Sequence, residues 1–191
     1  MAAAETKADA LLKEIGCKRG LCVVLGEQPT QLALDLARAS ELTLYVQAPR
    51  EDDAAAMRKT LDAAGLLGTR VYVEPGAWSR IHLADNLADA VIVTGSARDS
   101  KHAPAAELVR VLRPRGKLIG LAQTLIKPVP PGTGEWTHPY HSPDNNPQAE
   151  DQLARAPFLT RFLATPFYGP MPEVTVVSGG IVFKAFGYIS F

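Results

Sequence analysis

Residues 20–49 read GLCVVLGEQPTQLALDLARASELTLYVQAP, and no other stretch restricts the possible folds as tightly. An apolar run at 21–25 ends at Gly26. A short polar loop follows, then a helical pattern in which Leu32, Ala33, Leu36 and Ala37 share one face, then a second apolar run at 42–46. Continuous apolar runs of this length suit strands buried on both faces, and two such strands joined through a helix are parallel. Such a unit places its first loop and its helix N-terminus at the carboxyl edge of the sheet, where open α/β sheets bind ligands. Residues 26–31 are therefore the first place to look for a site.

The rest of the first two thirds repeats this alternation. Ala8, Leu11, Leu12 and Ile15 predict a lead-in helix stopped by Gly16. A helix at about 30–39 has Pro29 at its start, and Glu51, Asp52 and Asp53 open the next one, where the helix dipole favours negative charge. Met57, Leu61 and Ala64 are its buried face, and Gly65 ends it. Strands are expected at 70–73, 88–93 and 117–121, with a loop at 74–86, a helix at about 103–112 and a turn at 113–116. Five strands with intervening helices predict an α/β fold, a doubly wound and mostly parallel sheet with right-handed crossovers.

After residue 121 the pattern changes. The proline-rich stretch 127–146 reads as a connector, and 150–161 as a helix broken by Pro157. Residues 173–191 hold two β-rich runs around Ser178-Gly179-Gly180, a hairpin signal. The expected organisation is a first domain over 1–122, a connector over 123–172 and a β-hairpin over 173–191. A chain stopping just after an apolar strand reads as part of something longer.

Lysine plus arginine and aspartate plus glutamate balance at 20 each, which removes the basic field that non-specific nucleic-acid binding needs. No stretch approaches the ~20 apolar residues of a membrane span, and the N-terminus has no apolar signal-peptide core, so a cytoplasmic location is expected. Cys17 and Cys22 read as free thiols or small buried hydrophobes. His138, His141 and Asp144 resemble a metal set in composition, but they lie in the connector, and no metal is expected there. His82 and His102 are read as solvated loop histidines that could reach the carboxyl edge as general bases.

Several phrases resemble class I S-adenosylmethionine (SAM) dependent methyltransferases, in order: VVLGEQPTQLALDLA, DAAGLLGTRVYVEPGAWSRI, DNLADAVIV and LVRVLRPRGKLIG. A second group resembles the lead-in to a PQQ-binding-like (quinoprotein) β-propeller: Glu135-Trp136-Thr137-His138, His141 to Asn146, and Met171-Pro172-Glu173-Val174. The resemblance implies a Rossmann-like domain joined to the first strands of a propeller, with the propeller domain as partner. It implies SAM as cofactor and a small-molecule methyl acceptor, and no PQQ site within this stretch.

The first resemblance also implies a set of cofactor-binding positions. After strand one the family carries G-x-G-x-G, and here Gly26 fills the first place while Gln28 and Thr30 stand at the others, with Glu27 between. The acidic residue that ends strand two and takes the ribose hydroxyls is replaced by Gln47, followed by Ala48. An amide lacks the two-oxygen geometry of a carboxylate. The adenine region corresponds to Gly76, Ala77 and Trp78, where Trp78 either stacks on the base or covers the sheet edge as a core residue. Thr94 stands where an acceptor-activating motif would follow strand four, and no catalytic base is identified. The double change Gln28→Gly, Gln47→Glu is expected to tighten SAM binding. Two functions follow: a SAM-dependent methyltransferase, or a non-catalytic methyltransferase-like scaffold attached to a propeller. An NAD(P) oxidoreductase would need G-x-G-x-x-G, of which only Gly26 is present.

Overall fold

A computed structural model describes residues 6–27, 29–153, 172–179 and 181–186, which leaves Gln28 and most of the helix expected at 150–161 outside the described residues. The chain divides into two compact units, Met1–Pro128 and Val129–Phe191.

The first unit is built on one sheet with strand order β3-β2-β1-β4-β5-β6. Its members are β1 (Arg19–Leu25), β2 (Glu41–Ala48), β3 (Val71–Pro75), β4 (Ala88–Val93), β5 (Leu112–Ile119) and β6 (Leu125–Ile126). The first five are parallel, and β6 runs antiparallel to β5. Helices α1 (Lys7–Ile15), α2 (Pro29–Ala39) and α3 (Glu51–Ala63) share a core with Cys22, Val24, Leu44, Val46 and Ile92. Helix α4 (Ala105–Val111) packs with Val23, Leu25, Val91, Val93 and Leu118. Alternate residues of one strand thus feed opposite cores, which is the period-two geometry of a sheet covered on both faces.

Local signals set the helix ends. Thr6 and Asp9 form a reciprocal capping box at the start of α1, and Gly16, at φ 82°, closes it by donating its N–H to Leu12.

Three details differ from expectation. β2 continues through Gln47 and Ala48, because both pair in register with Glu74 and Pro75 of a longer β3. The turn expected at 113–116 is a bulge inside β5: Ala88 pairs with Leu112 and Ala90 already with Lys117. Asp89 stabilises it, accepting from Arg113 Nε at 2.5 Å and from the Leu21 N–H at 2.8 Å. β6 gave no sequence signal, being two exposed residues whose only support is pairing with β5.

In the second unit, β7 (Pro172–Ser178) and β8 (Ile181–Phe186) form the expected antiparallel hairpin as a two-stranded sheet of their own. Trp136 bridges to Val177 and sets its ring edge-on to His141 at 5.3 Å. Tyr140 is exposed.

Candidate ligand-binding site

The carboxyl ends of β1, β2 and β4 open into a crevice of about 840 Å³. Its lining includes Gly26 and Glu27 after β1, Asp53 and Met57 on α3, Trp78 after β3, and Ser96 after β4. Among the described residues, two carboxylates and no lysine, arginine or histidine line it. Beyond a shared wall of Pro49, Trp78 and Ser96 lies a second chamber of about 390 Å³.

The predicted positions fall into three groups. Gly26, Glu27 and Trp78 line the larger crevice, and Ala77 and Trp78 line the smaller chamber. Gln28 lies outside the described residues. Gln47, Ala48, Gly76 and Thr94 line neither space.

Gln47 is engaged by the protein itself. Its side chain is fully buried, and the protein occupies all of its hydrogen-bonding capacity. Nε2 donates to the carbonyl oxygens of Ala77 and Arg80, each at 2.8 Å. Oε1 accepts from the His82 N–H at 3.0 Å and from the Tyr45 hydroxyl at 3.1 Å. The expected contact with a ribose hydroxyl would have to break one of these bonds. Tyr45 itself is buried, and burial, with Glu74 nearby, pushes its hydroxyl up to about 12.

Thr94 and Gly26 meet in a close suture. The Thr94 N–H and hydroxyl both reach the Leu25 carbonyl, at 2.9 and 3.3 Å. Gly26 sits at φ 127°, and a Cβ there would run into the Thr94 carbonyl and hydroxyl. The glycine is required by the close approach of the two loops. Gly76 is likewise covered by the His82 ring, 2.6 Å from where a Cβ would stand. Glu27 lies over Gly95 in the same way, at 2.8 Å, and also lines the crevice.

The loop between β3 and β4 is held from two sides. Gln47 fixes it from the sheet. From α4, Glu107 accepts from the Ile81 N–H at 2.7 Å and from Arg110 at 2.7 and 2.8 Å. Arg110 then donates to the carbonyls of Ile81 and Leu83, each at 2.9 Å. The Arg110 guanidinium holds the Glu107 carboxyl below its ordinary range, and Glu107 with Asp85 raises Arg110. Neither residue was singled out from the sequence. Asp53, Ser96 and Lys101 also reach the two spaces without having been predicted to. His102 lines the smaller chamber, whereas His82 lines neither. No group of three or more His, Cys, Asp or Glu side chains converges as a metal site among the described residues. Nor, among the same residues, is any helix long and apolar enough to cross a membrane.

No protein-family profile matches the chain, and no curated protein is significantly similar to it. Solved structures do match. One from Methanococcus maripaludis, described as a candidate SAM-dependent methyltransferase, is 25% identical with a TM-score of 0.55, over 60% of this chain and 53% of that one. A SAM-dependent methyltransferase from Aquifex aeolicus is 21% identical with a TM-score of 0.51, over 60% and 62%. A geranyl diphosphate methyltransferase solved with SAM is 16% identical with a TM-score of 0.52, over 59% and 46%. The chain therefore spans between 46% and 62% of the length of these proteins. The first unit has the Rossmann-like fold of class I SAM-dependent methyltransferases, and the second carries a β-hairpin.

Proposed function

We propose that the first unit is a methyltransferase-like module that takes SAM, or a close adenosyl relative, in the larger crevice, for methyl transfer to a small molecule. The observation that carries this reading is the crevice itself: it stays open at the end of β1, and among the described residues its lining has the carboxylates of Glu27 and Asp53 and no basic side chain. Its volume lies within the range typical of small-molecule sites. Asp53 is already paired with Arg50 at 3.1 Å, so Glu27 is the carboxylate that would face the cationic groups of SAM, and Trp78 would bound the ligand on the side of β3. Bound SAM would supply an electrophilic methyl group, and transfer of this kind runs on proximity and orientation without a dedicated base.

Calorimetric titration of the full chain with SAM and with S-adenosylhomocysteine tests it. Saturable heat at micromolar ligand is the expected result. Absence of heat at millimolar ligand overturns the reading.

One observation favours a second reading. The Gln47 amide, at the ribose-holding position, is spent entirely on the loop at 77–82. On that reading the unit is a non-catalytic methyltransferase-like scaffold, and the hairpin over Pro172–Phe186 belongs to a PQQ-binding-like β-propeller. Silence in the titration selects it.

A further inference from the structure

The two spaces at the sheet edge differ in charge. Among the described residues, the larger one has carboxylates and no cation in its lining. The smaller one, among the same residues, has the reverse: Lys101 and His102, with the hydroxyls of Ser79 and Ser96, and no carboxylate. Trp78 and Pro49 stand between them.

We propose that the smaller chamber binds a small organic acid through its carboxylate, with the Lys101 ammonium as the principal partner. The segment that presents Lys101 is built, not loose. Asp99 accepts the Lys101 N–H on its carboxylate at 2.9 Å, and its carbonyl accepts the N–H groups of His102 and Ala103, each at 3.0 Å. Asp99 thus turns its charge to the backbone and stays out of the chamber lining. The side chains of Lys101 and His102 make no hydrogen bond or ion pair among the described residues. A cation held at the mouth of a chamber beside two hydroxyls has charge-assisted hydrogen bonds to offer and no internal acceptor. The lining also includes the buried Trp78, an aromatic wall locked by its indole hydrogen bond to the Gln47 carbonyl at 2.7 Å. A carboxylate on a small planar body matches both ends, and about 390 Å³ accommodates a ligand of that size.

On the reading given above this ligand is the methyl acceptor, but the binding claim does not depend on SAM. The probe is 4-hydroxybenzoate, titrated calorimetrically into the full chain without SAM, with 4-hydroxybenzamide as its neutral counterpart. Saturable binding of the acid is expected, with the amide at least tenfold weaker. Lys101→Met should weaken the acid at least tenfold, and Lys59→Met, on the far side of α3, should leave it unchanged. Lys101 is exposed, so unchanged thermal unfolding of the variant separates lost binding from lost fold. Equal binding of acid and amide, no effect of Lys101→Met, or no binding at millimolar acid overturns the proposal. Acid binding with no SAM binding removes the methyltransferase reading alone. SAM binding with no acid binding removes only this inference.

Discussion

The indole N–H of Trp78 donates to the backbone carbonyl of Gln47 at 2.7 Å, while the Gln47 amide reaches across to the carbonyls on either side of that tryptophan, at Ala77 and Arg80. The two residues clamp each other. Trp78 is thereby both a core residue and the wall between two chambers, which joins the two roles the sequence left open for it.

This clamp reverses an expectation about Gln47→Glu. A carboxylate has no donor for the Ala77 and Arg80 carbonyls and would bury its charge against two oxygens. We expect a loss of roughly 3–5 kcal/mol, the cost of an uncompensated buried charge. The introduced acid has its pKa raised in the folded state, so the penalty is small below the pKa of the unfolded chain and grows as pH rises above it. Urea unfolding at pH 4 and pH 8 measures the difference. Equal destabilisation at both values would refute the buried-charge account.

Gly26→Ala tests whether that glycine serves the loop suture. At φ 127°, with the Thr94 carbonyl in the way, the alanine should cost about 2 kcal/mol or more. Gly65→Ala is the control: its φ of 69° is also positive, but nothing lies within 4 Å of the added Cβ, so only the backbone cost of about 1 kcal/mol is expected. Denaturant midpoints of the two variants give the comparison, and equal shifts would remove the role assigned to Thr94.

Glu107→Gln tests the anchor of the loop from α4. Arg110 depresses the Glu107 pKa in the folded protein, so the stabilisation is present above the ordinary glutamate range and fades as pH falls through the lowered value. The variant should therefore be less stable than the parent by about 2 kcal/mol at neutral pH, in the range for hydrogen bonds to a charged group. The gap should narrow as pH falls below the ordinary glutamate range and close once Glu107 is protonated in the folded protein. Thermal unfolding across pH 3–8 follows it, and hydrogen exchange at Ile81, whose N–H bonds to Glu107, should speed up in the variant.

The two free cysteines should differ in reactivity. Cys22 is fully buried in β1, and burial raises its thiol strongly. Cys17 is partly exposed, and burial raises its thiol as well. Iodoacetamide on the folded protein should label Cys17 slowly and leave Cys22 untouched until the chain unfolds. Mass spectrometry of the digested protein locates the label, and native labelling of Cys22 would contradict its place in the core.

The fold was legible wherever a local pattern had one solution. The runs at 21–25, 42–46 and 88–93 are continuous and apolar because both faces of their strands are covered, and α1 carries its own cap and stop. The alternation of these runs with helices determined a parallel sheet and the location of its open edge. Tertiary structure decided what each edge residue does there. The hydrogen bonds of the Gln47 side chain could not be read from the sequence because three of its partners, residues 77, 80 and 82, lie some thirty positions away. The crowding of Gly26 could not be read either, because Thr94, just after β4, lies 68 residues on. Periodicity reports which face of an element is buried, but a hydrogen bond or a close approach between distant segments exists only once the chain has brought them together, and the chemistry of this site is made of such contacts.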